Sequence, residues 1–256
     1  MTSSTIKFNG ISCKPTELPV VFFSGDKSLA YVHNAKAGCT LALNFLFFRD
    51  HGYAYFDPSL IHASKHAFLR IGPDLQTTGV MTFEAETFTF VREPLQRFLS
   101  AFNSKIFSRD DSDYADLRDL LTAVHHIDLS PSADPARSCL AFAKIMEAQT
   151  NPKEIDRHFR AQYFNLGMDG PFRTDTIIRL DERSTLLAFL SRWVAADQAT
   201  TLADQRLGIG PPVRKEAFLS DELVGLVRKI YAADYDLFYA CESSDQAAQT
   251  RRHARG

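Results

Sequence analysis

Two strand-to-helix junctions stand out in the alternation of apolar and polar positions. Leu29 to His33 is a short, β-type apolar run, and Thr40 to Phe48 is a strongly apolar stretch suited to a buried helix. Between them lies Asn34-Ala35-Lys36-Ala37-Gly38-Cys39, small residues around one lysine. Further along, Phe88 to Val91 is rich in β-formers, and Pro94 suits the first turn of a helix. Leu95, Phe98, Leu99, Phe102 and Ile106 then recur at helical spacing on one face, with Arg97, Ser100 and Ser104 on the other. Asp175 to Asp181 reads as a late buried strand, followed by an amphipathic helix bearing Leu186, Leu187, Leu190 and Trp193. The charged stretch from Asn103 to Ser132 holds a helical piece around Tyr114 to Val124 and reads as a lid or substrate-facing insertion. Tyr231, Tyr235 and Phe238 read as core aromatics of a terminal helix.

The order of elements predicts an α/β fold. It is expected to be a single P-loop-like domain with a central parallel sheet of about four or five strands and helices on both faces. The strands near Leu29 and Phe88 should be neighbours, because both junctions must reach one ligand. With 256 residues and 45% hydrophobic content, the chain can bury one substantial core. The expected domain covers residues 1–241, and the polar, finally basic stretch 242–256 has the composition of a disordered tail. A formal charge of -2 argues against general nucleic-acid binding. Local basic clusters, Arg157 with Arg160 and Arg214 with Lys215, leave room for an acidic substrate or are solvated surface. The four cysteines, Cys13, Cys39, Cys139 and Cys241, are scattered, lack metal-ligand spacing and are expected to be reduced thiols. The N-terminal residues show neither a signal-peptide core nor an anchor of membrane length.

The junctions carry the chemistry. A helix start offers unpaired N–H groups and a partial positive charge, and so receives phosphate or sulfate. Lys36 adds a mobile cation, Thr40 adds a hydroxyl donor, and Gly38 allows close backbone approach. The ATP-binding pattern G-x-x-x-x-G-K-[ST] is absent, since here the lysine precedes the glycine. Without a ligand, the same segment is an ordinary strand–turn–helix connection with a solvated lysine. At the second junction Arg92 stands at a strand's carboxyl end, where ligands gather in open α/β sheets. Arg92 and Ser100 can converge on a second anion, with the guanidinium supplying a forked contact. Arg97 is equally well read as the wet side of its helix.

Taken together, Lys36-Ala37-Gly38-Cys39-Thr40 and Phe90-Val91-Arg92-Glu93-Pro94-Leu95-Gln96-Arg97-Phe98-Leu99-Ser100-Ala101-Phe102 resemble the two nucleotide-binding motifs of sulfotransferases. These enzymes use 3′-phosphoadenosine 5′-phosphosulfate (PAPS), and the similarity is to the carbohydrate (family 2-like) branch. The resemblance implies that Lys36, Ala37, Gly38, Cys39 and Thr40 surround the 5′-phosphosulfate and that Arg92 and Ser100 hold the 3′-phosphate. One departure is visible. The family's usual proline is replaced, so that Asn34-Ala35 precedes Lys36, which predicts a looser loop. Asp156-Arg157-His158-Phe159-Arg160-Ala161-Gln162 is similar to a short family segment with His, an aromatic residue and Gln, and implies acceptor contacts from His158, Arg160 and Gln162. Ile230-Tyr231 through Leu237-Phe238 resembles the family's closing signature. Golgi relatives carry a membrane anchor, so its absence implies a soluble cytoplasmic enzyme of bacterial type.

The implied reaction moves a sulfuryl group from PAPS to a hydroxyl of a carbohydrate or similar metabolite, leaving adenosine 3′,5′-bisphosphate. Catalysis of this kind rests on positioning and on stabilising charge at the leaving phosphate, which suits Lys36 and demands no metal. A base must take the acceptor's proton. His62 and His66, spaced i, i+4 and expected on one helical face, are the first candidates, with His66 ahead and His158 next. A nucleotide-dependent phosphotransferase and a catalytically silent nucleotide- or glycan-binding protein are the alternatives. The acceptor's identity and the oligomeric state are not legible in the chain.

Overall fold

The strand that ends in the lysine loop and the strand that ends in Arg92 lie side by side, as their shared chemistry requires. In the computed structural model, which describes residues 5–75, 79–108, 111–130, 132–204 and 215–240 (without the side chains of 64–67 and 215), the chain opens with β1 (Thr5–Phe8), β2 (Ile11–Cys13), β3 (Val21–Phe23) and β4 (Leu29–Val32). Helix α1 (Cys39–His51) and a 3-10 helix (Pro58–Ala67) follow, then β5 (Leu69–Ile71), β6 (Val80–Phe83) and β7 (Glu86–Val91). Next come α2 (Pro94–Ala101), a π-turn (Phe102–Phe107), α3 (Ala115–Ala123) and α4 (Pro135–Glu147). The one-turn α5 (Gln162–Asn165) leads to β8 (Thr176–Arg179), α6 (Arg183–Leu190) and α7 (Ala196–Asp204). Helices α8 (Asp221–Ile230) and α9 (Ala232–Phe238) close the described chain.

Contacts group these elements into two compact units, Met1–Arg92 with Gln162–Gly210, and Glu93–Ala161 with Pro211–Gly256. All eight strands belong to the first. Five of them form a sheet in the order β5-β3-β4-β7-β8, and β2-β1-β6 form a smaller one. The expected strand count and the β4–β7 neighbourhood hold, but the wholly parallel sheet does not. β4, β7 and β8 are parallel, with Tyr31 opposite Phe88 and Val91 opposite Arg179. β3 is antiparallel to both β4 and β5. The reason is loop length: the Gly25–Ser28 turn between β3 and β4 is short enough only for a hairpin, whereas parallel strands need a crossover.

The parallel strands are buried on both sides, as such sheets are. On one side of β7, Phe88 packs against Phe45 of α1 at 5.6 Å and Phe189 of α6 at 4.9 Å between ring centroids. On the other, the Thr89 hydroxyl donates to the carbonyl of Val32 at 2.8 Å, tying β7 to the end of β4. A bidentate pair from Arg49 to Asp26, at 3.0 and 2.8 Å, holds the far end of α1 to the β3–β4 turn.

The second unit is helical among its described residues. Phe98 of α2, Phe142 of α4, Phe159 and Tyr231 make an aromatic core, with Phe142 and Phe159 4.8 Å apart. The expected terminal helix is broken at Tyr231 into α8 and α9. The Tyr231 hydroxyl donates to the carbonyl of Phe159 at 2.5 Å, and burial pushes its pKa well up. No helix among the described residues is long and apolar enough to cross a membrane. The stretch 242–256 lies outside the described residues.

Candidate functional site

The lysine loop is built from what surrounds it. Ala35 and Ala37 are buried, and Lys36 between them adopts a left-handed backbone at φ 64°. Gly38 is left-handed as well, at φ 73°, and serves as the N-cap of α1. No side chain caps the first turn of α1. Its leading N–H groups are therefore left for an anion, the condition under which helix starts bind phosphate and sulfate. A Cβ built on Gly38 would lie 2.9 Å from Leu180 Cδ1 and 3.4 Å from Phe90 Cδ2. Glycine is required there twice over, for its φ and for the close approach to β7 and the residue after β8.

Asn34 explains the missing proline. Its side-chain NH₂ donates to the Phe90 carbonyl at 3.0 Å and to Gln162 Oε1 at 2.9 Å, and its backbone N–H donates to the Tyr31 hydroxyl at 3.2 Å. The loop is thus fastened by hydrogen bonds where a ring was expected. Asn34 Oδ1 is buried without a hydrogen-bond partner among the described residues, an acceptor that a ligand hydroxyl or a water would satisfy.

Gln162 is the residue that joins the two junctions. It has no exposed surface. Its Oε1 accepts from Asn34 and from the Arg92 N–H at 3.0 Å, while its Nε2 donates to the Arg92 carbonyl at 2.8 Å. Expected as an acceptor contact, Gln162 also serves as a brace between Asn34 and Arg92. Arg92 follows β7 directly and has its backbone held at both ends by this amide.

His62 is the expected site residue that the fold brings to the loop. It stands on the 3-10 helix, with Nε2 2.9 Å from Thr40 Oγ1 and 3.6 Å from Cys39 Sγ. His66 lies on the same 3-10 helix. The shared face expected for the two histidines concerns the side chain of His66, which lies outside the described part of the structure. The described cysteines, Cys13, Cys39 and Cys139, are free thiols, and burial pushes that of Cys139 up.

In the helical unit, Ser100 is half-buried on α2. Arg97 differs from its expectation as the wet side of α2: it is only 1% exposed. Its guanidinium donates to the carbonyls of Arg160 at 2.8 Å and Arg157 at 2.9 Å, clamping the 157–160 turn. Arg160 donates from Nε to the Ile155 carbonyl at 2.9 Å. His158 is half-buried and contacts Asp156 and Tyr114. Helix α3, within the charged stretch from Asn103 to Ser132, borders a cavity of about 550 Å³ lined by Ala115, Arg118, Asp119, Thr122, Ala123 and Leu129.

The first unit is therefore an α/β protein with an anion-receptive loop at the carboxyl ends of neighbouring parallel strands. The chain belongs to the Sulfotransferase family, whose sequence profile matches residues 19–240. Membership makes it a transferase of sulfuryl groups, consistent with the family 2-like resemblance of its motifs. Neither the comparison with curated proteins nor that with solved structures found a match.

Proposed function

We propose that this protein is a PAPS-dependent sulfotransferase that transfers the sulfuryl group to a hydroxyl of a carbohydrate or similar metabolite by in-line displacement, residues 1–241 acting as one domain. The observation that carries this reading is the Gln162 amide, which couples Asn34 of the lysine loop to Arg92 at the end of β7. Two cationic junctions held on one frame suit a ligand with two anionic ends better than a single phosphate. The residues present fit such a ligand, with an uncapped helix start, the flanking Lys36 and Thr40, and a glycine whose Cβ the cradle would not admit.

In this reading Lys36, Ala37, Gly38, Cys39 and Thr40 hold the 5′-phosphosulfate, and by their motif Arg92 and Ser100 take the 3′-phosphate. The donor supplies an activated sulfuryl group on a phosphate leaving group. Lys36 then stabilises the charge that gathers on the departing oxygen, and the α1 N–H groups do the same without reorganising. The contact from His62 Nε2 to Thr40 suits an imidazole that orients the loop hydroxyl. His66 keeps its candidacy as base, and His158 and Arg160 face the acceptor.

Calorimetric titration with adenosine 3′,5′-bisphosphate against ADP and ATP tests the donor. Binding of the bisphosphate alone is expected, whereas preference for ATP would favour a phosphotransferase, and no binding a silent binder of another ligand. Lys36→Ala should lower sulfuryl transfer by about 10²–10³-fold while weakening the bisphosphate far less. Equal losses in both would remove Lys36 from the chemical step.

A further inference from the structure

His62 reaches the lysine loop from a separate element, and more than one contact holds it there. The 3-10 helix Pro58–Ala67 and α1 belong to the same compact unit. Asn44, 3% exposed on the second turn of α1, donates its amide to the Thr40 carbonyl at 2.8 Å and to the Pro58 carbonyl at 2.9 Å. It thereby ties the start of the 3-10 helix to the first turns of α1. Ile61 has no exposed surface and anchors the same helix in the core shared by Leu41, Ala42 and Phe45. His62 comes next and sets Nε2 2.9 Å from Thr40 Oγ1 and 3.6 Å from Cys39 Sγ. Cys39 and Thr40 are the first two residues of α1, where no side chain caps the leading N–H groups.

We infer that His62 is a positioning residue that acts through Thr40: its Nε2–H donates to Oγ1 and so turns the Thr40 hydroxyl proton toward the anion at the start of α1. A hydroxyl has one proton and two acceptor lone pairs, and a neutral imidazole carries its proton on one nitrogen only. Were Nε2 bare, the 2.9 Å contact would consume the Thr40 proton, and Oγ1 would present lone pairs to an incoming anion. With Nε2 protonated, the ring fills a lone pair of Oγ1 and the hydroxyl proton is released to the ligand. A phosphate or sulfate oxygen accepts, so its arrival selects the second arrangement. Oxygen is the partner of the ring here, because 2.9 Å is a hydrogen-bond distance and the thiol sulfur at 3.6 Å is the weaker acceptor. A ring that donates from Nε2 takes up no substrate proton at that nitrogen, so there His62 serves the loop rather than acting as the base.

This inference rests on the sulfotransferase reading, in which the lysine loop holds the 5′ end of the donor. His62 and Thr40 then act on the 5′-phosphate and leave the hold on the 3′-phosphate untouched. Losing the Thr40 hydroxyl removes a hydrogen bond to a charged group, which amounts to about 10–100-fold in affinity. Losing the ring is milder. The hydroxyl remains but is free to turn, and ordering it on the ligand costs about 2–10-fold. Because the ring works only through the hydroxyl, its removal adds nothing once the hydroxyl is gone, which is the signature of two groups acting as one.

The test uses the full chain and calorimetry with two ligands, adenosine 3′,5′-bisphosphate and adenosine 3′-monophosphate, which lacks the 5′ group. Thr40→Val should weaken the bisphosphate by about 10–100-fold and His62→Leu by about 2–10-fold. Both variants should hold the 3′-monophosphate as the wild type does, which separates the effect from damage to the fold. The double variant should bind the bisphosphate like Thr40→Val alone. His62→Gln, whose amide still offers a donor, should recover most of the affinity that His62→Leu loses. Nitrogen-15 correlation NMR of the bisphosphate complex should show the His62 ring protonated at Nε2. A ring bare at Nε2 in that complex, equal losses for both ligands in His62→Leu, or losses that add in the double variant would overturn the inference and leave the sulfotransferase reading standing. A wild type that binds no bisphosphate would sink that reading, and the role of His62 with it.

Discussion

Lys36 and Gly38 show how much a single backbone angle carries. Both are left-handed, but only Gly38 has a residue type made for it. At Lys36 the left-handed backbone costs roughly 1–2 kcal/mol relative to the ordinary helical region, and the enclosing bonds of Asn34 sustain it. Backbone held this way at a ligand-binding loop is the usual sign of strain retained for function. Gly38→Ala adds the same penalty and a Cβ 2.9 Å from Leu180. It should lower stability by about 1–3 kcal/mol in urea denaturation and weaken bisphosphate binding by more than the stability change alone explains. Unchanged calorimetric affinity would show that the approach of Gly38 to Leu180 has no bearing on the ligand. The lysine and the glycine were legible because their types and spacing are local facts. The purpose of Asn34 was not, since its partners, Phe90 and Gln162, are distant in the chain.

Helix α2 illustrates where periodicity misleads. Counting along the helix puts Arg97 opposite the apolar stripe, and a helix has a wet side only if nothing packs there. The 157–160 turn does, so Arg97 lies inside. Removing the guanidinium while keeping the stem isolates its contribution. Arg97→Met leaves two carbonyls without these donors and should cost about 2–4 kcal/mol. The corresponding fall in Tm is roughly 5–15 °C for a chain of this size, with a larger loss of turnover than of bisphosphate affinity if the turn carrying His158 loosens. A Tm within a degree or two of the wild type would mean that the clamp adds little. The segment Pro58–Ala67 differs in a related way: its spacing allows an α-helix, but the chain there takes the tighter 3-10 form.

The five-stranded sheet unites motifs that lie far apart along the chain, and the family match covers 19–240, ending close to the last signature residues. A chain truncated after Cys241 should therefore bind adenosine 3′,5′-bisphosphate within about twofold of the full chain, less than the tenfold that 1.4 kcal/mol represents. A larger loss, measured by calorimetry, would bring 242–256 into the functional protein. What the amino-acid sequence determined by itself was whatever depends on near neighbours. That includes the two junctions and their chemistry, the β4–β7 adjacency forced by a shared ligand, and the α/β class. Tertiary structure alone decided the antiparallel half of the sheet, the burial of Arg97, the bridging by Gln162 and the meeting of Tyr114 with Asp156 and His158. Apart from the β3–β4 hairpin, each of these is a pairing between groups remote in the chain, and side-chain type or period records only what a residue can bond, not which distant partner the fold will bring to it.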